Sequence, residues 1–251
     1  MRIICAGLPK TGTSSMAKAL QILGYKTYDY PEHLSFHLEQ WSQVFLKKKQ
    51  PDFLSMYRKV DAVTDMPPNF FYKEILETFS DAKVILTERD SEDVWIESWF
   101  RQVEQFKGMT TNPFGATLLT LSPTLRKRSE IAYHCRSFVL GTGSYDKGSS
   151  FLLKKKYREY NEQVKASVPS DQLLVYNVKQ GWQPLCEFLG CDIPSCPFPK
   201  ENVKGALIAE RLTIKKAFSS PNGPKIFREM MIRISLFVLL VGIVLMMFNV
   251  L

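Results

Sequence analysis

Four side chains able to bind a phosphate group, Lys10, Thr11, Thr13 and Ser14, stand within the run Gly7-Leu-Pro-Lys-Thr-Gly-Thr-Ser14. An apolar stretch, Ile3 to Ala6, precedes it, and a helical apolar spacing from Ser14 to Leu23 follows. Strand, glycine-bearing loop and helix together aim backbone N–H groups and a helix N-terminus at a phosphate. The spacing Gly7-x4-Gly12 fits such a loop, yet Thr13 stands where a nucleotide-hydrolysing loop carries Lys. A hydrolysing loop also needs a carboxylate for Mg²⁺. The strand that could supply it ends in Thr87-Glu88-Arg89, with a cation at its tip. Lys10, Thr11, Thr13, Ser14 and Arg89 therefore suit a nucleotide with phosphates at two positions and no metal. For a general base the candidates are Asp65, at the end of the run Asp61-Ala-Val-Thr-Asp65, and His37, on the apolar side of a helical pattern. Asp65 could equally start the turn before Pro67, and His37 could simply pack in the core.

The elements that must hold these residues alternate. Strand patterns at Ile3–Ala6, Tyr25–Tyr30, 61–65, 81–90 and Leu173–Val178 are separated by helical patterns at 14–23, 33–49, 53–59, 70–79, 91–107 and 151–168. A further helix is expected at Trp182–Leu189. Alternation of this kind predicts an α/β fold with a central parallel sheet, whose ligands collect at the strands' C-terminal ends. The loop at 7–13, Asp65 and Arg89 all fall at such ends. From Gly108 to Ser150 the pattern weakens and predicts a lid or substrate-facing insertion, with one basic helical piece at Leu125–Tyr133. Gly141-Thr-Gly-Ser144 reads as a plain loop, since no strand and helix frame it. Trp41, Phe70, Phe71 and Tyr72 are candidates for an apolar acceptor pocket or for core.

The chain has 251 residues, 45% of them hydrophobic, enough for one sizeable core with appendages. Its net charge of +8 would suggest nucleic acid, but the location excludes that partner. Residues 200–233 hold eight Lys/Arg against three Glu, and an uncharged stretch, 234–251, follows. As a helix that stretch would extend about 27 Å, close to a bilayer core. The expectation is a body at 1–205, a basic juxtamembrane neck at 206–233 and a tail-anchoring transmembrane helix at 234–251, with the body facing cytosol. The five cysteines are odd in number and show no zinc-ligand spacing, which fits a reducing compartment.

At this point the sequence resembles the sulfotransferases that use 3′-phosphoadenylyl sulfate (PAPS). Gly7 to Ser14 resembles their 5′-phosphosulfate loop, and Val84-Ile-Leu-Thr-Glu-Arg89-Asp90 with Trp95 and Ser98 resembles their 3′-phosphate element. The branch that includes the schistosome drug-activating sulfotransferase is the most similar. Thr64-Asp65-Met-Pro67, Phe71-Tyr72-Lys73, Val168 to Val175 and Gly181 to Gly190 carry that likeness. The resemblance spans residues 1–205 and implies a three-layer P-loop fold. It implies that Pro9, Lys10, Thr11, Gly12, Thr13 and Ser14 hold the 5′-phosphate, with Lys10 on the bridging oxygen, and that Arg89 and Ser98 hold the 3′-phosphate. Many cytosolic members use His as base, and this branch uses Asp at the position matching Asp65. The implied reaction moves a sulfuryl group from PAPS to a hydroxyl or amine of a small molecule, leaving PAP, with no metal; the expected membrane tether adds that the acceptor is lipophilic. A P-loop small-molecule kinase and a non-catalytic membrane-tethered adaptor are the rival readings.

Overall fold

The computed structural model describes residues 1–110, 113–141, 149–201 and 220–248. The central sheet has five strands, β1 (Ile3–Cys5), β2 (Thr27–Tyr28), β3 (Ala62–Val63), β4 (Lys83–Thr87) and β5 (Leu173–Tyr176), in the order β2-β3-β1-β4-β5. Every neighbouring pair is parallel, with Ile3 opposite both Ala62 and Lys83. The expected α/β architecture with a central parallel sheet is therefore present. The strands read as continuous apolar runs because both faces are covered. Ile4, Val63, Val84 and Leu86 point into one core with Trp41, Tyr57 and Ile75. Ile3, Cys5, Ala62 and Ile85 point into the other, with Met16, Leu20 and Leu185. β1 lies centrally, and the chain leaves it for β2, β3 on one side and β4, β5 on the other. The crevice at its C-terminal end is a topological switch point, where ligands bind in open parallel sheets.

The helices are α1 (Thr13–Ile22), α2 (Tyr30–Phe36), α3 (Leu38–Lys47), α4 (Phe53–Tyr57), α5 (Tyr72–Thr78), α6 (Glu92–Thr110), α7 (Pro113–Leu121), α8 (Pro123–Leu140), α9 (Ser150–Ser167), α10 (Trp182–Leu189) and α11 (Gly223–Phe248). Two expectations need correcting. The helix expected at 33–49 is two helices broken at His37, whose backbone (φ −121°, ψ 24°) leaves the helical region. The first of them starts early, because Asp29 and Glu32 form a capping box with Pro31 in the first turn. Among the described residues the insertion after Gly108 is mostly regular helix. Pro113 and Pro123 begin α7 and α8, where a missing N–H is no loss. Ser122 caps α8 by accepting from the Leu125 N–H at 3.2 Å.

The tail differs from expectation as well. One helix, α11, crosses the expected boundary between neck and span, carrying Lys225, Arg228, Glu229 and Arg233 in its first half. Its start is docked on the body. Glu229 accepts from Ser122 Oγ (2.6 Å), Thr124 N–H (3.0 Å) and Thr124 Oγ1 (2.7 Å), and Ile226 is fully buried. Among the described residues no helix is long and apolar enough to cross a membrane. The uncharged part of α11, from Ile234 to Phe248, extends about 22 Å, short of a hydrocarbon core of about 30 Å. The remainder of the expected span, 249–251, lies outside the described residues, as do 142–148 and 202–219.

Candidate active site

The site grows from the five-residue crossing between β1 and Thr11. Gly7 passes so close to β4 that a Cβ there would lie 1.9 Å from Thr87 Oγ1. Gly12 has φ +107°, and a Cβ on it would meet Val178 at 2.6 Å. Only glycine fits either place. Lys10, at φ 75°, is held in the same left-handed region without that freedom, and so is Asp65, at φ 62°. Strain of this kind persists where surrounding structure over-determines it.

The surroundings are visible bond by bond, for each carbonyl from Ala6 to Lys10 has its own donor. Tyr160 Oη donates to Ala6 O at 2.6 Å, and Asn69 Nδ2 donates to Gly7 O at 3.1 Å. Thr11 donates to Leu8 O from its hydroxyl (2.7 Å) and its N–H (3.2 Å). Trp95 Nε1 donates to Pro9 O at 2.9 Å, and Arg89 Nε donates to Lys10 O at 2.6 Å. Tyr157 braces this set, its ring stacked on Trp95 at 4.6 Å and its Oη accepting from the Arg89 N–H at 3.0 Å. With the carbonyls tied back, the N-terminal turn of α1 presents donors. Gly12 caps that helix with no side-chain hydrogen bond, and no acidic residue lies in its first turn. The N–H groups of Thr13, Ser14 and Ser15 thus form an anion-binding helix end.

The charged residues follow. Lys10 is half-buried, and its pKa is lowered to about 8, first by burial and then by the Arg89 charge, with Arg101 adding to it and Asp65 opposing. Burial also pulls Arg89 below the usual arginine range. Two desolvated cations side by side gain by facing an anion. Asp65 is half-buried at the end of β3. Its Oδ2 accepts from Thr13 Oγ1 at 3.2 Å and its Oδ1 from the Met66 N–H at 2.8 Å. The turn role foreseen for Asp65 is therefore present together with a link to the loop. Among the described residues no group of His, Cys, Asp or Glu is arranged to hold a metal ion.

Of the residues singled out in the sequence, Lys10, Thr13, Asp65 and Arg89 are joined by contacts or mutual charge, and Ser14 adjoins them. Pro9 and Gly12 shape the backbone. Thr11 is fully buried, and its hydroxyl lies 2.6 Å from Thr87 Oγ1, so its side chain braces the loop from behind. Ser98 is half-buried on α6, one turn beyond Trp95, without a hydrogen bond to the loop. His37 packs edge-on against Tyr57 at 5.2 Å and beside Tyr28 at 5.7 Å, and burial lowers its pKa. None of these His37 contacts reaches Lys10 or Asp65. Trp41 and Tyr72 belong to the core, at 0% and 3% exposure, while Phe70 and Phe71 are half-buried.

Sequence reasoning missed a second histidine. His33 is fully buried; its Nε2 lies 3.1 Å from Thr64 O, and Tyr57 Oη lies 3.3 Å from its Nδ1. A carbonyl only accepts, so Nε2 carries the proton and Nδ1 accepts from Tyr57. Burial holds the ring neutral, its pKa lowered to about 3. Asp29 was missed too: it accepts from Thr64 Oγ1 at 3.0 Å and from Ser14 Oγ at 3.5 Å. His33 and Asp29 thus grip the residue that precedes Asp65. Neither stands in a recognisable motif. The Asp29-x2-Glu32 capping box was the one local signal for Asp29.

Comparison with known proteins gives the family. A family profile described as a sulfotransferase domain matches residues 2–207. Ava biosynthesis cluster protein M of Aspergillus versicolor is 29% identical over 216 residues, an alignment covering 79% of this chain and 80% of that protein. Since the profile takes in the loop, Asp65 and Arg89 in one match, the chain belongs to the sulfotransferase domain family and is a sulfotransferase.

Proposed function

We propose that the protein transfers a sulfuryl group from PAPS to a hydroxyl or amine of a small, lipophilic acceptor at a membrane surface. The observation that carries the donor assignment is the tied-back loop, in which an uncapped helix N-terminus meets two desolvated cations, Lys10 and Arg89. A donor with phosphates at two positions matches that layout. The N–H groups of Thr13 to Ser15, with the Thr13 and Ser14 hydroxyls, hold its 5′-phosphate. Arg89 takes the 3′-phosphate through its remaining guanidinium donors, with Ser98 beside it.

When bound, PAPS supplies a sulfuryl group with PAP as its leaving group. Asp65 takes the proton of the acceptor O–H or N–H as the new bond to sulfur forms. Lys10 stabilises the charge gathering on the bridging oxygen as the old S–O bond breaks, and that electron pair stays with PAP. The strained backbones of Lys10 and Asp65 keep both groups aimed before the donor arrives. The membrane assignment is supported by α11, where Leu236 to Leu240 stand 54–68% exposed. Charged residues of the same helix, Lys225, Arg228 and Arg233, would lie against anionic headgroups.

Calorimetry on the full chain in detergent tests the donor assignment. PAP should bind without Mg²⁺ and more tightly than Mg-ATP; Mg²⁺-dependent binding of ATP with none of PAP would overturn it.

A further inference from the structure

Thr13 has one hydroxyl proton and two claimants for it. In the structure it donates to Asp65 Oδ2 at 3.2 Å. The same hydroxyl lies in the first turn of α1, among the N–H groups that face an anion. A phosphate oxygen at that helix end is acceptor-only, so the hydroxyl cannot serve phosphate and carboxylate together. Resting on the donor reading above, we propose that Thr13 is a gate coupling donor to base. Its proton holds the Asp65 carboxylate in the free protein and turns to the donor's 5′-phosphate on binding, which removes one of the donors holding Asp65's charge.

A carboxylate that loses a hydrogen bond to its charged form becomes a stronger base. The base is therefore quenched while the donor site is empty and is strengthened when a sulfuryl group is present to receive the acceptor. Asp65 keeps the Met66 N–H on Oδ1, so its position survives the exchange. Lys10 on the loop and Cys135 on α8 are two titratable groups whose charge couples to Asp65; the Cys135 thiol, raised by burial, stays neutral, and Lys10 is common to both states. Ser14 makes a similar contact to Asp29, at 3.5 Å, with a different consequence. Asp29 is 3% exposed and pinned by Thr64 Oγ1 and the start of α2, so a proton leaving it frees no base that an acceptor could reach. Thr13 is a positioning residue in this scheme, acting through Asp65.

The test is a ¹³C-carboxyl NMR titration of Asp65 in the full chain, assigned by Asp65→Asn, with and without saturating PAP. Wild type should titrate lower than Thr13→Val when PAP is absent. PAP should raise the wild-type midpoint by about one pH unit more than it raises the variant's, the size of one hydrogen bond to a charged group. Thr13→Ser, which keeps the proton, should follow wild type. Thr13→Ala provides the same comparison if valine disturbs the helix start. Equal midpoints in wild type and Thr13→Val without PAP, with equal rises when it is added, would overturn the gate and leave the donor reading standing. Absence of PAP binding to wild type would overturn both.

Discussion

Lys10 gathers a positive φ, half-burial and two neighbouring guanidinium groups in one residue. Its pKa near 8 makes donor affinity depend on pH in a defined direction. The ammonium form is full below that value and is lost above it, and only that form attracts an anion. PAP affinity should be flat below about pH 7 and fall by up to about tenfold per unit above pH 8. Lys10→Arg should flatten the alkaline fall, because guanidinium keeps its proton there. Calorimetry across that range decides it, and a wild-type affinity unchanged up to about pH 9.5 would remove Lys10 from the donor site. Gly12 was legible in the sequence as a loop glycine, but not the reason for it. Val178, distant in sequence, blocks a Cβ at 2.6 Å, and φ is +107°. Gly12→Ala should therefore cost roughly 1–2 kcal/mol from backbone strain alone, with repacking of Val178 added. Urea unfolding measures it, and wild-type stability in the variant would contradict the loop conformation.

At the scale of elements, α9 shows how far the sequence could be read. Its charged pattern marks a helix at 151–168, and the structure has one at Ser150–Ser167. Nothing in that pattern says that Tyr157 and Tyr160 face a loop some 150 residues earlier. The Tyr160 hydroxyl lies 2.6 Å from both Ala6 O and Asn69 O, its single proton shared between the two carbonyls, so it fastens the loop to the turn after β3. Tyr160→Phe keeps the ring and leaves buried carbonyls short of a donor, which should destabilise the protein by about 1–3 kcal/mol. PAP binding should weaken with it, as the carbonyls relax and the N–H groups lose their aim. A variant that binds PAP like wild type would mean that the tied-back carbonyls play no part in donor recognition. The break at His37 was illegible for a related reason: a continuous apolar stripe does not reveal that Asp29 starts one helix and His37 ends it.

For the whole molecule, the division of labour runs between a body that carries the loop, Asp65 and Arg89 and a helix that leaves it. Glu229 ties the polar first half of α11 to Ser122 and Thr124 at the start of α8, while Leu236 to Leu240 of the apolar second half stand 54–68% exposed. If that half lies in lipid, deleting residues 234–251 should move the chain from the membrane pellet to the high-salt supernatant. The docked contacts at Ile226 and Glu229 remain in such a truncation, so the body should keep its wild-type melting temperature. Retention of the truncated chain in washed membranes would sink the anchor reading.

The sequence by itself determined the parallel α/β sheet, the loop at 7–14 and the cation at Arg89, because each is written in local pattern: apolar runs of strand length, paired glycines and a charge at a strand end. The likeness to sulfotransferases rested on the same local runs, and the family match bore it out. Tertiary structure alone decided which hydroxyls face the ligand and which face inward. Thr11 and Thr13 are equivalent in composition and two residues apart, yet Thr11 meets Thr87 and Thr13 meets Asp65. Their difference comes from the left-handed turn at Lys10 and Gly12, which reverses the chain between them, and from the strands that bring residues 65 and 87 to either side of it. Local sequence carries propensity; partners brought from distant segments decide where each proton points.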